Sequence, residues 1–237
     1  TFRVGYVAGS ADSLTEVVEG KVDVGIGGKP ASLVQAGSGA IVRKDGGVAI
    51  EQLLPAIALL SPGKVQKDVD VSLTLDAAES ARQYHTQLSS DAGFVDLVAE
   101  AYTTTPQVGF SGIADGTYFV RAAAVSANGL EGLTQTYSMK RRLSTLGGAI
   151  EKSDDGRFAF KWFGDGKGER LYRFQIATAA DFAAPLVDET GLQGKDISIS
   201  QLTPGDYFWR IRVLQFGDGE IGENWTAPEK LIVSKPE

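Results

Sequence analysis

The sequence predicts an all-β chain, a small β domain followed by two tandem β-sandwiches, and three observations lead there. Apolar residues alternate at a period of two through many short segments, the signature of half-buried strands. Glycine and proline, 29 and 8 of the 237 residues, are scattered between those segments as turn punctuation. Two long stretches also echo one another at a distance near 90 residues, which is the size of a small sandwich domain and too long for a solenoid unit of about 20–50 residues.

The first block covers residues 1–55. "TFRVGYV" places Phe2, Val4 and Tyr6 on one face, and "VVEGKVDVGI" sets Val18, Val22, Val24 and Ile26 in register around Gly20. Gly27-Gly28-Lys29-Pro30 reads as a turn, and "ASLVQAGSGAIVRKDGG" as two more short strands hinged at Gly37 and Gly39. "SLTE", Ser13 to Glu16, fits a helix capping box, but no sustained helical period follows it, so a helix is not the favoured reading there. Residues 56–66 read as a linker, because Pro55 and Pro62 bracket an apolar stretch and proline opposes a central strand.

The repeat occupies residues 67–145 and 146–237. Tyr84, Gln87 and Phe94 match Tyr172, Gln175 and Phe182 at a spacing of 88, and Tyr118-Phe119-x-Arg121 matches Tyr207-Phe208-x-Arg210 at 89. In the second copy Tyr207, Trp209, Ile211 and Val213 share one strand face and Phe208, Arg210, Arg212 and Leu214 the other. The wholly apolar set is expected in the core and the arginines outside it. The first copy agrees, with Tyr118, Val120, Ala122 and Ala124 inward and Arg121 outward.

Composition narrows the function classes. The net charge is −7, no basic run exceeds Lys140-Arg141-Arg142, and segments divided at residues 60 and 145 are each acidic. A phosphate-binding surface needs concentrated cations, so nucleic acid is excluded as an expected partner, and an anionic membrane surface is disfavoured. The absence of cysteine removes disulfides, thiolate metal sites and cysteine nucleophiles. The longest apolar run, Leu53 to Leu60, is too short to span a membrane. Because the chain opens on a strand-like pattern without an initiator Met, a fragment or processed product is expected, with any targeting segment upstream.

Two resemblances add to this. "LTPGDYFWRIRVL", through Leu202, Pro204, Gly205, Tyr207 and Arg210, resembles the Leu-x-Pro-Gly…Tyr-x-x-Arg signature of fibronectin type III domains, whose leading tyrosine anchors a corner. The spacing from Gly205 to Tyr207 is one residue shorter than in that family, and the first copy has Asp115-Gly116 for Pro-Gly. "TFRVGYV", "VVEGKVDV" and "VQAGSGAIVRKDGG" resemble stretches of the FecR domain, here its C-terminal part. The combination is similar to a class of bacterial envelope proteins that often carry a peptidoglycan-binding LysM module upstream. It implies a periplasmic location.

Chemistry is sparse. His85 is the only histidine; with Arg173 at the matching repeat position it is expected to fill a solvent-facing slot. "FGDGKGE" (Phe163 to Glu169), "FGDGE" (Phe216 to Glu220) and "SDDG" (Ser153 to Gly156) are expected to be turns and not calcium loops, since Asp-Gly is a turn dipeptide and the alternate-ligand spacing is missing. "GIGGKPAS" fails as a phosphate loop because Pro30 follows the Lys. Asp188-Glu189 would point to opposite strand faces and gives no support for glycoside hydrolysis. No catalytic residue, metal ligand or cofactor is assigned. The candidate interaction surface is Phe119, Arg121, Phe208, Arg210, Arg212 and Trp225, an aromatic-plus-arginine strip that could stack on sugars or contact a protein. The alternative is that Phe208 packs under a loop and the arginines pair with nearby acids. The expected function is non-enzymatic, an interaction or spacer protein of the cell envelope whose partner is an envelope protein or cell-wall glycan. A FecR-type extracytoplasmic sensor is the alternative, and a hydrolase is the weakest reading.

Overall fold

A computed structural model describes residues 1–6, 12–26, 30–153, 156–200, 202–217 and 219–235. The expected turns at Gly27-Gly28-Lys29 and Asp154-Asp155, and the Asp218 position of "FGDGE", lie outside the described residues. The described chain is all-β, and no helix in it is long and apolar enough to cross a membrane. It divides into two compact units, Thr1–Gln66 with Asp70–Arg141, and Lys67–Val69 with Arg142–Glu237.

The first unit begins with β1 (Phe2–Tyr6), β2 (Ser13–Val17), β3 (Lys21–Val24), β4 (Ser32–Gln35), β5 (Ser38–Val42) and β6 (Val48–Gln52). They form an antiparallel sheet in the order β1-β2-β5-β6 and a separate β3-β4 hairpin. "SLTE" is strand and not the start of a helix. Val17, Val24, Val34, Ala40 and Val42 make a small core between sheet and hairpin. The face shared by Phe2, Val4 and Tyr6 is the exposed one, on the edge strand. The "VVEGKVDVGI" alternation does not run through as one register: Val18 lies in the bend after β2, Ile26 is exposed, and β3 pairs with β4. Of the two glycines expected as hinges, Gly37 ends the β4–β5 turn, whereas Gly39 lies inside β5.

The rest of this unit is a sandwich of β7 (Leu59–Leu60), β8 (Val71–Leu75), β9 (Gln83–Ser89), β10 (Leu97–Thr103), β11 (Gln107–Phe110), β12 (Gly116–Val125) and β13 (Gln135–Arg141). Three strands, β11-β8-β7, pack against four, β10-β9-β12-β13. The stretch expected as a linker contributes β7, which pairs with β8 as an edge strand, and Ile57 and Leu59 enter the core beside Val71, Leu73 and Leu75. Two residues are too few for alternation to reveal a strand, and the prolines fit the edge.

The second unit repeats the plan with β14 (Gly147–Lys152), β15 (Phe158–Phe163), β16 (Glu169–Ala177), β17 (Val187–Leu192), β18 (Asp196–Ile199), β19 (Gly205–Gly217), β20 (Glu220–Trp225) and β21 (Glu229–Val233). Here β14-β15-β18 face β17-β16-β19-β20, while β21 pairs with the first half of β19. Phe160, Phe174 and Trp209 are buried at its centre, their rings in tilted and edge contacts at 4.8 and 5.3 Å. Matching strands of the two sandwiches fall at the repeat spacing read from the sequence. The inward sets Tyr118/Val120/Ala122/Ala124 and Tyr207/Trp209/Ile211/Val213 are buried as alternation predicts. Each leading tyrosine anchors a corner, Tyr118 Oη donating to the Ala114 carbonyl at 2.9 Å and Tyr207 Oη to that of Thr203 at 2.8 Å.

Candidate functional site

The outward arginines of β12 and β19 do not point free into solvent. Arg121 Nε donates to Gln87 Oε1 at 2.7 Å while its guanidinium lies 4.2 Å from the centre of the Phe94 ring. Arg210 repeats this with Gln175 at 2.8 Å and Phe182 at 4.2 Å. Phe94 and Phe182 both hold left-handed backbones, φ 56° and 54°, a conformation that costs a side-chain-bearing residue about 1–2 kcal/mol. Both copies retain it because it turns the ring under the guanidinium. The second unit adds Trp225, at the end of β20, on the other side of Arg210 at 4.3 Å, with Arg212 5.5 Å away and 3.8 Å from Glu223. Phe119 and Phe208 are half-buried, opposite Ser138 and Lys230 respectively. The arginines of the strip thus belong to half-buried cassettes, one per sandwich.

Cross-strand ion pairs repeat as well. In the second unit Arg173 forms a two-toothed bond to Asp188 at 2.6 and 2.5 Å, with Gln175 also reaching Asp188 at 3.0 Å. The Arg173 hydrogen bond holds the Asp188 carboxyl below the usual carboxylate range. In the first unit the matching trio is His85, Glu100 and Gln87, with His85 Nε2 2.5 Å from Glu100 Oε1 and Gln87 3.1 Å from the same oxygen.

The expectation for His85 is overturned: it is 7% exposed. A partner from the loop after β12 covers it. The loop joining β12 to β13 folds back as Gly129-Leu130-Glu131-Gly132, and Glu131 Oε1 meets His85 Nδ1 at 2.6 Å. The Tyr102 ring stacks on the imidazole at 4.1 Å, 6° from parallel. Both ring nitrogens therefore face carboxylate oxygens. A neutral imidazole carries one N–H and ionised carboxylates only accept, so this geometry calls for the imidazolium. Burial pulls the His85 pKa down, yet the hydrogen bonds and charges of Glu131 and Glu100 outweigh it, and the net shift is upward. For Glu131, burial acts upward but His85, Arg3 and Tyr102 bring it below the usual range. Burial, then Glu131 and Glu100, pushes the Tyr102 phenol up to about 12.

The same loop joins the first block to the first sandwich. Leu130, 1% exposed, packs with Leu14, Ile41 and Leu53. A Cβ at Gly39 would lie 2.8 Å from the Leu130 side chain, which accounts for glycine inside β5. Arg3 donates to the carbonyls of Glu131 and Gly132, both at 2.8 Å, and its Nη1 lies 3.5 Å from the Glu131 carboxylate. Glu16 accepts from the Glu131 amide at 3.2 Å, and burial pushes its own carboxyl pKa up. Ser126 and Asn128 each donate to Glu51 at 2.7 Å. Beside this polar floor opens a cleft of about 540 Å³ whose rim includes Val4, Tyr6, Gln83 and Tyr102. Tyr6 and Tyr102 are 77% and 53% exposed.

Among the described residues no cluster of three or more His, Cys, Asp or Glu could hold a metal ion. The described "FGDGKGE" loop is closed by Thr145, whose amide and hydroxyl bond the Asp165 carbonyl and amide at 2.9 and 2.7 Å. Sequence reasoning missed the Glu100, Glu131, Arg3 and Tyr102 roles. One signal was present: Glu100 and Asp188 keep the 88-residue spacing of His85 and Arg173, so the ion pair could have been read from the repeat.

No family model matches the chain, and no curated protein matches it. Among solved structures it is similar to the FN1–FN3 domains of chicken CNTN1 (12% identity, 99% of this chain and 98% of that one, TM-score 0.31). It is also similar to the two-domain fibronectin type III segment of chicken tenascin (14% identity, 76% and 98%, TM-score 0.33). A third likeness is to the fibronectin(III)-like modules of Clostridium thermocellum CbhA (14% identity, 75% and 94%, TM-score 0.29). The sandwich assignment stands on the chain's own strand order, two sheets of three and four strands or more in each repeat.

Proposed function

We propose that this chain is a non-enzymatic interaction and spacer protein of a bacterial envelope, in which a FecR-like first block fixed to a fibronectin-like sandwich presents a contact surface to cell-wall glycan. The observation that carries this is the cleft beside Arg3, Glu16 and Glu131. It combines exposed tyrosine rings with buried, oriented polar groups, the pattern of a recognition site. Arg121, Arg210 and Trp225, by contrast, are held by their own hydrogen-bond partners, Gln87, Gln175 and Glu223, which favours a structural role for them. Tyrosine faces stack on sugar rings, and the charge of −7 disfavours polyanions.

Co-sedimentation with purified peptidoglycan sacculi at low and moderate salt tests this reading. Binding that survives moderate salt and weakens at least several-fold in Tyr6→Ala, but not in Trp225→Ala, supports recognition at the cleft. Loss on Trp225→Ala instead would move recognition to the second sandwich. No binding at either salt would leave a spacer or a protein-contact role and remove the glycan.

A further inference from the structure

We propose that His85 is a proton-operated clasp: protonated, it holds the loop of residues 126–132, and through it the first block, against the first sandwich; losing its proton as pH rises, it lets the loop go. This goes beyond the reading above and stands whether or not the cleft takes a glycan.

The repeat supplies the first argument. At the position of His85 the second sandwich has Arg173, a permanent cation bonded to Asp188. The first sandwich keeps the acid, Glu100, and the amide, Gln87, but places there a side chain whose charge changes near neutrality. A second carboxylate, Glu131, then arrives from the loop that carries Leu130 into the first block.

The second argument is what surrounds the imidazole. Facing it are Arg3 from β1, Gln87 on its own strand, Glu100 and Tyr102 from β10, Arg121 from β12, and Glu131 from the loop; behind them Glu16 from β2 contacts Arg3 and the Glu131 amide. Burial displaces the Glu16 carboxyl upward, while His85, Arg3 and Tyr102 bring Glu131 downward; the Tyr102 phenol is pushed up to about 12, and burial brings Arg121 below its ordinary value. Within this set, the imidazole is the side chain whose ordinary charge change lies near neutrality. Without its proton, one of its nitrogens presents a lone pair to a carboxylate oxygen. Glu100 is 43% exposed at its side chain and turns to water, but Glu131 and Glu16, at 22% and 6%, keep Arg3 as their shared cation, with the Tyr102 hydroxyl donating to Glu131 at 3.3 Å.

The sign follows. A histidine raised in the folded state contributes stability that is complete below its ordinary value of about 6.5 and is lost as pH rises through its folded value. Each unit by which closure of the loop, bringing Glu131, raises the histidine's value makes closure about tenfold more favourable in the protonated form.

Because His85 is the sole histidine, its ring resonance in an NMR titration is unambiguous. The expected midpoint lies above about 6.5 and falls in E131Q. Hydrogen exchange of the Ser126, Gly132 and Leu133 amides, which bond to Leu130, Ala124 and Leu54 carbonyls, should lose protection through that midpoint after correction for intrinsic rates. The Leu186 and Thr226 amides of the second unit should not. H85R, which installs the cation of the second copy, should make the loop insensitive to pH across this range. A midpoint at or below the ordinary histidine value, loop protection that is flat across it, or an H85R protein as pH-sensitive as the parent would each overturn the clasp. Should H85R not fold, the parent titration and E131Q decide the matter.

Discussion

Leu130 shows how much one side chain contributes here. It sits on a loop of the sandwich but is buried among Leu14, Ile41 and Leu53 of the first block, so its truncation leaves a cavity at their junction. Leu130→Ala is expected to destabilise the first unit by about 2–4 kcal/mol, read as a shift in the urea midpoint. Gly39→Ala would press a methyl against the same leucine, so the two changes together should cost clearly less than their sum, a non-additivity that a double-mutant cycle measures. In the second unit Gly168 has φ +88°, and a Cβ there would lie 1.9 Å from the Phe216 carbonyl oxygen. Backbone cannot retreat as a flexible side chain can, and Gly168→Ala is expected to cost about 3 kcal/mol or more. None of this was legible in sequence: "GLEG" reads as a turn, and nothing local tells which cavity its leucine fills.

At the scale of the element, period-two alternation carried the long strands. β12 and β19 bury the residues that alternation selects because each forms an inner strand of its sheet, with neighbours on both sides fixing the register. It failed at β7, which is two residues long, and at β3, whose pairing with β4 rather than β2 depends on a turn and not on pattern. The cassettes are the other case. Arg121 and Arg210 were correctly placed outward, but their Phe94 and Phe182 partners come from loops after β9 and β16, where no periodicity applies. Arg210→Lys keeps charge yet loses the planar stack between two rings and the bond to Gln175. It is expected to cost the second unit about 1–2 kcal/mol, with Tyr207→Phe, which removes the corner bond, costing about 1 kcal/mol; chemical denaturation checks both.

The whole molecule separates its probes. All three tryptophans, Trp162, Trp209 and Trp225, belong to the second unit, and the one histidine to the first. Tryptophan fluorescence therefore follows unfolding of the second unit alone, while far-UV circular dichroism follows both. As pH rises from 6 to 9 the two transitions should move apart, the fluorescence midpoint holding while the first unit's falls through the folded pKa of His85. At the acid end the lowered pKa of Glu131 acts oppositely: its contribution is present above the ordinary glutamate value and is lost as pH falls through the depressed one. The first unit should be most stable between these limits. Coincident midpoints at every pH would mean that the two units unfold as one.

The sequence by itself determined the all-β class and the two repeats with their inward faces, while the corner at Tyr207 came from the resemblance to fibronectin type III domains. The class and the faces follow from alternation and from turn residues a few positions apart, which need no knowledge of the rest of the chain. Only the tertiary structure decided that His85 is buried, that Glu131 rather than solvent faces it, and that Leu130 belongs to another block's core. Those contacts join residues separated by tens to more than a hundred positions, as Arg3 and Glu131 are. Closing such long loops is governed by which surfaces bury apolar area and pair charge once the sheets have formed, and a linear pattern holds no record of that choice.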